Sequence, residues 1–278
     1  MGVIIAFWSP LHGRGNTSNC IAAAVQASMI YDKDIFITHT HYTRSTMESA
    51  FLKGNEEDDI LKLSDLGLDS INRAIKTGSL EVDDIKSYCN QLTENLFLIS
   101  GSRKSNEEVF REKIGQDFGQ ICEFLKKSDN LSFIDIDSGY KSAIAREVIK
   151  MADIVVVTLD QTNILCEDYF SQDFCIDEEK QIIVMGRFDD NSKYTKKFAE
   201  KKFKSSVFAI ARETEFLDAL NNHRIINYFK DYYDSEDDLF FDELNFLMDE
   251  LENKLDMQGI NIVKKIQKPK KRFLFFGA

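Results

Sequence analysis

The chain has 278 residues, 43% hydrophobic and 29% charged, with a formal net charge of −12. That balance suits a globular domain with a full core and excludes a disordered or fibrous chain. The acidic excess works against nonspecific DNA binding, which needs clustered Lys and Arg, and no apolar run reaches membrane-spanning length.

The opening residues lack a charged leader and a cleavage site, so Val3–Phe7 reads as a first strand. A loop with Gly13 and Gly15 follows, then a small-residue helix from about Ser18 to Met29. Strand, glycine loop and helix in that order aim backbone N–H groups and a helix N-terminus at a phosphate. Such loops usually end in Gly-Lys-Ser/Thr, but the lysine position here holds Asn16. The second strand, Asp34–Thr38, leads into His39-Thr40-His41. Two histidines spaced by two share a strand face, which suits either a metal pair or polar residues at a strand end. The stretch from Tyr42 to Glu94 is irregular, and Lys53 to Asp59 reads as a switch-like loop or a solvated turn.

A third strand is expected at Asn95–Ile99. Next comes a helix from Asn106 to Lys126, capped by Ser105-Asn106-Glu107-Glu108. The strand at Leu131–Ile136 carries Asp135 near its end, four residues before Gly139. An aspartate so placed can hold Mg²⁺ through water, and the glycine N–H can meet a γ-phosphate. Asp137 is either a second Mg²⁺ contact or a turn residue. Further expected elements are a helix at Lys141–Met151 and strands at Ile154–Thr158, Gln181–Met185 and Ser206–Ile210, then helices at Glu215–Asn221 and Glu236–Met257. Strands alternating with helices predict a mostly parallel sheet flanked by helices in three α/β layers, with ligands at the carboxyl ends of the strands. No Pro-rich or Gly/Ser-rich linker divides the chain, which predicts one domain over residues 1–257 and a tail over 258–278. The cysteines contain no C-x-x-C pair, and they read as reduced thiols of a cytoplasmic protein.

The loop, Asp135–Gly139, Ala152–Asn163 and Ile182–Asp189 together resemble the MinD/ParA family of deviant-Walker ATPases, P-loop proteins of the SIMIBI class. The likeness runs from Met1 to about Leu255. Thr93–Gly101 looks like the family's strand before its switch II helix. The family's loop reads Lys-Gly-Gly-x-Gly-Lys-Thr-Thr, and it falls here on Leu11, His12, Gly13, Arg14, Gly15, Asn16, Thr17 and Ser18. The resemblance implies ATP or ADP at that loop, with Mg²⁺ at Thr17 and Asp135. It also implies a γ-phosphate contact at Gly139, a base near Arg187 and Phe188, and a nucleotide-sandwich homodimer.

The departures concern chemistry. The signature lysine is Leu11, the phosphate lysine is Asn16, and the switch I stretch Ile37–His41 has no carboxylate. The family's base-reading Asn falls on Gly186. Phosphoryl transfer is mostly positioning and charge neutralisation, and each lost electrostatic donor costs about 10²–10³ in rate. Hydrolysis is therefore expected to be weak or absent, while the backbone cradle survives. Arg14 is either a substitute charge or a solvated loop residue. His12 either bonds a phosphate or merely replaces a glycine.

The expected role is a nucleotide-binding regulator or scaffold, similar to the atypical TadZ/CpaE-like members, at the membrane or in a secretion, pilus, conjugation or partition machine. The alternatives are an active ParA-like partition ATPase and a ligand-free structural protein. The tail's Lys270, Lys271, Arg272, Phe273, Leu274, Phe275 and Phe276 suit an anionic membrane surface, a protein partner, or packing against the body. A peripheral position at the inner face of the membrane follows from the first of these.

Overall fold

The computed structural model describes residues 1–42, 46–53, 66–102, 106–115, 117–171, 176–233 and 238–265. The tail residues from Lys270 to Phe276, most of Lys53 to Asp59, and Cys175 lie outside them.

Short apolar, β-branched and aromatic runs form the strands: β1 (Val3–Trp8), β2 (Asp34–His39), β3 (Asn90–Gln91), β4 (Leu96–Leu98), β5 (Asn130–Asp135), β6 (Ile154–Leu159), β7 (Gln181–Phe188) and β8 (Val207–Ala211). Their order is β3-β4-β2-β5-β1-β6-β7-β8, and every pairing is parallel except β3 with β4. β1 and β6 are buried at every position, as strands covered on both faces must be.

Helices cover both faces: α1 (Asn16–Ile30), α2 (Thr46–Phe51), α3 (Leu68–Thr77), α4 (Glu107–Phe110), α5 (Phe118–Leu125), α6 (Ala143–Met151), α7 (Asn163–Ser171), α8 (Lys196–Phe203), α9 (Thr214–Asn221), α10 (Ile225–Tyr232) and α11 (Leu239–Met257). Alternation splits each strand between two cores. Ile4, Ala6 and Trp8 pack with α3, α5, α6 and α7. Val3, Ile5 and Phe7 pack with α1, α10 and α11. This is the three-layer α/β architecture expected from the sequence.

Two expectations need correction. The helix expected over Asn106–Lys126 is broken: Asn106 caps it as foreseen, but a π turn at Arg111–Gly115 separates α4 from α5. Gly115 lies where a Cβ would come within 2.9 Å of Ile144 Cδ1, so the chain bends where it passes close to α6. The strand in Thr93–Gly101 pairs with β2 and antiparallel with β3, and β5 is the strand that carries Asp135 toward Gly139. Beyond α11 the chain returns to the body, where Lys264 bridges Tyr31 and Lys265 N–H donates to Ile30 O.

Candidate nucleotide site

Parallel register brings the site together. β5 lies between β1 and β2, with Asp135 level with Phe7 on one side and His39 on the other. The loop after β1 turns into α1 through Gly13 and Gly15, at φ 75° and 87°. That left-handed region costs glycine nothing. Gly15 also meets Arg187 closely, since a Cβ there would lie 3.3 Å from Arg187 Cγ. Arg187 itself has φ 55° at an irregularity in β7, an unusual geometry for a side-chain-bearing residue. It sends Nη1 to Gly13 O at 3.1 Å, fixing a permanent positive charge beside the loop.

At the centre is Asp135, fully buried. Asn16 Nδ2 donates to Asp135 Oδ1 at 2.7 Å and to Phe7 O at 2.9 Å. Both partners are acceptors, so the amide's orientation is set by them and both its donors are spent. Thr17 Oγ1 donates to Asp135 Oδ2 at 2.6 Å, and His41 Nε2 lies 3.0 Å from the same oxygen. Burial disfavours a charged His41 ring. The hydrogen bond and charge of Asp135, with Asp137 and Glu48 behind them, outweigh that and raise its pKa above the ordinary histidine value.

His39 faces elsewhere. Its Nδ1 accepts the His41 N–H at 3.2 Å, and its Nε2 meets Glu48 Oε1 at 2.7 Å. The two rings serve different carboxylates, which favours the strand-end reading over a metal pair. Glu48 Oε1 also accepts the Gly101 N–H at 2.8 Å, so α2 is tied to the ends of β2 and β4. Burial raises the Glu48 pKa, but the charge and hydrogen bond of His39 and then the Gly101 N–H outweigh it, and the net shift is downward. A depressed carboxyl stabilises the fold above the ordinary glutamate value and ceases to as pH falls through its folded value. The melting-temperature gap between wild type and Glu48→Gln is therefore expected to close as pH falls below the ordinary glutamate range. A gap that widened in acid would contradict the assignment.

Two adjoining cavities flank the loop. One, of about 370 Å³, is lined by the loop residues His12, Gly13 and Gly15 to Ser18, by His41, Asp135 and Ser138, and by Thr46 and Ser49 of α2. The other, of about 450 Å³, lies under β7 and β8 against Asp189, Arg212, Glu213 and Phe216. Gly15, Ser18, Arg187, Leu217 and Leu220 line both. Together they offer one lobe at a helix N-terminus and a second beside it, in the size range of small-molecule sites.

Several anticipated residues fall elsewhere. Arg14 pairs with Asp160 at the end of β6 and does not line the phosphate lobe, so the structure does not use it as a substitute charge there. Leu11 is 46% exposed and lines neither lobe. Gly139, at φ 100°, donates its N–H to Ser9 O at 3.0 Å and is closed to a ligand in this conformation. Phe188 is buried and lines neither lobe. Thr46, Ser49 and Leu220 had no motif to reveal them. Among the described residues no lysine lines either lobe, and no group of three His, Cys, Asp or Glu is placed to hold a metal.

A parallel sheet with a glycine loop between its central strand and first helix, and a buried aspartate on the neighbouring strand, defines a P-loop type of α/β domain. Its particular fold is that of the MinD and ParA ATPases. The chain superposes on a ParA family ATPase from Chlorobium tepidum TLS with a TM-score of 0.68 at 13% identity, over 87% of this chain and 96% of that one. It superposes on MinD complexed with Mg-ADP from Pyrococcus horikoshii OT3 with a TM-score of 0.64 at 13% identity, over 90% and 97%. A putative plasmid partition protein from Borrelia burgdorferi B31 bound to AMPPNP gives 0.55 at 14% identity, over 91% and 100%. No sequence-family profile and no curated protein sequence matches the chain.

The residues at the family's Mg²⁺ position suit that ion poorly. Mg²⁺ demands oxygen ligands in near-ideal octahedral geometry and usually keeps several waters. Here Asp135 already accepts from three protein groups, and an imidazole nitrogen stands against the oxygen that a metal-bound water would need.

Proposed function

We propose that the protein is a MinD/ParA-like nucleotide-binding protein that binds ATP or ADP at the β1–α1 loop, hydrolyses it weakly or not at all, and acts as a spatial regulator or scaffold. One observation carries the reading: a two-lobed cavity wraps the loop, yet its described lining holds no lysine. The N–H groups of Thr17 and Ser18 head α1, where the first turn has no intrahelical partners. Arg187 supplies fixed charge between the lobes. Among the described residues, no lysine in the lining stands where one would follow charge onto the leaving phosphate. The loop's lysine position is Asn16, whose donors are engaged by Phe7 and Asp135.

ADP and ATP at 100 times their Kd would each stabilise the fold by about 2.7 kcal/mol. A thermal-shift series with ATP, ADP and GTP reads this directly. Phosphate release is expected to stay at background. Turnover at ordinary rates that Thr17→Ala abolishes would favour the active partition ATPase instead, and no shift with any nucleotide would favour the ligand-free structural protein.

The regulator role needs a surface to act on. One of the solved relatives is a MinC:MinD cell division complex from Aquifex aeolicus, a partner-bound member of the same fold. For this chain we place the corresponding engagement, with membrane or partner protein, in the basic and aromatic segment Lys270–Phe276. Full-length protein is expected to pellet with anionic vesicles or with its partner, and a chain ending at Lys265 is not. Equal pelleting of the two chains would remove the tail from the account.

A further inference from the structure

Resting on the nucleotide-binding reading, we infer that His41 occupies the place of the divalent cation, so that this site takes a nucleoside di- or triphosphate without Mg²⁺. The geometry is specific. In a P-loop site the buried aspartate's spare lone pairs face waters of the metal shell. A carboxylate offers about four lone-pair positions. Asp135 has three of them engaged: Oδ1 by Asn16 at 2.7 Å, and Oδ2 by both Thr17 at 2.6 Å and His41 at 3.0 Å.

His41 is a part of the site's wall. It lines the phosphate lobe together with Thr17, Ser18 and Ser138. Its backbone N–H is held by His39 Nδ1, and His39 is in turn held by Glu48. Its Nδ1 lies 3.9 Å from Asp137 Oδ1, so a second carboxylate backs the ring. Asp137 is anchored by its own N–H, which donates to Thr40 Oγ1 at 2.8 Å. The ring is therefore oriented from three sides, with Nε2 directed at the buried aspartate. Where a metal would neutralise Asp135 and bridge it to phosphate oxygens, the imidazole N–H caps Asp135 directly. The phosphates are left to the backbone N–H groups of α1 and the guanidinium of Arg187, both independent of any metal.

The switch I stretch fits the same logic. A carboxylate at position 41 beside a buried Asp135 would be a like-charge pair needing a cation between them. A histidine there removes that need. The imidazole at position 41 and the three engaged lone pairs of Asp135 are thus one arrangement built from two strand ends.

The test is ADP and ATP affinity measured calorimetrically on the full chain, with Mg²⁺ and with excess EDTA, for wild type and His41→Asp. Wild-type affinity is expected to agree within about twofold in the two buffers, while His41→Asp loses at least tenfold in EDTA and regains it with Mg²⁺. Wild-type binding that appears only with Mg²⁺ overturns this inference and leaves the nucleotide-binding reading intact. Equal behaviour of wild type and His41→Asp in EDTA also overturns it. No binding in either buffer defeats both. Folding of His41→Asp is checked by its thermal transition, and His41→Gln, which keeps an N–H donor toward Asp135, is expected to remain metal-independent as well.

Discussion

Asp135→Ala is expected to lower stability by about 3–5 kcal/mol, the largest effect of any single substitution considered. The cost comes from the partners left behind. Asn16, Thr17 and His41 all direct donors at a carboxylate with no exposed surface. Once it is gone, buried donors from β1's loop, α1 and the end of β2 lose their common acceptor. Asn16 keeps its bond to Phe7 O and His41 keeps Asp137 Oδ1 3.9 Å from its Nδ1, while the Thr17 hydroxyl and His41 Nε2 lose the acceptor they meet here. For a domain of this size each kcal/mol moves the melting temperature by about 2–4 °C, so a fall of about 10 °C is expected. Asp135→Asn should fall between, because its carbonyl accepts from one side while its amide meets donors on the other. Calorimetric melting of the three proteins gives the order wild type, Asn, Ala. A loss under about 2 °C for Ala would mean that the three donors are held in place by something other than this carboxylate.

Much of this arrangement was legible in the sequence because it depends on period and order. Apolar runs such as Val3–Phe7 and Ile154–Thr158 became β1 and β6 with ends shifted by a residue. The glycine loop and Asp135 could be placed at the carboxyl ends of their strands without knowing any partner, since parallel topology puts those ends on one edge. The His39–Glu48 pair was invisible for the opposite reason. It joins two elements across an irregular connection with no periodicity, and only tertiary contact makes Glu48 a buried acceptor. The same holds for Arg14. As a loop cation after a glycine it suggested phosphate chemistry, but the strand-end Asp160 of β6 lies close enough to claim it. Helices α3 and α10 are short amphipathic segments in charged surroundings, where local patterning competes with many surface residues. Leu11 and Asn16, at the positions where the resembled loop carries lysines, were readable from residue identity alone. Their structural counterpart, a closed network of Asn16, Thr17, His41 and Asp135, required coordinates.

Gly186→Asn, which introduces the base-reading residue that the MinD/ParA resemblance implies at this position, is expected to abolish nucleotide binding here. The reason is space. A Cβ at Gly186 would stand 2.6 Å from Arg14 O, 2.9 Å from Asn19 Nδ2 and 3.0 Å from Thr158 Cγ2. The first of these is backbone of the phosphate loop, so it cannot be relieved by rotating a side chain. Either β7 moves outward or the loop is pushed off β7, and overpacking of this kind costs about 1–3 kcal/mol. Loop displacement would also separate Gly13 O from Arg187 Nη1 and reshape the wall that both lobes share at Gly15 and Arg187. The expected result is a variant that still folds, melts a few degrees lower, and shows no thermal shift with ADP at concentrations that saturate the wild type. Gly186→Ala brings the same Cβ without the amide and should behave alike, which separates crowding from polarity. If Gly186→Asn instead bound ADP more tightly, the loop and β7 would have to sit farther apart than they do here. The lobe under β7 and β8 would then accept an asparagine at position 186.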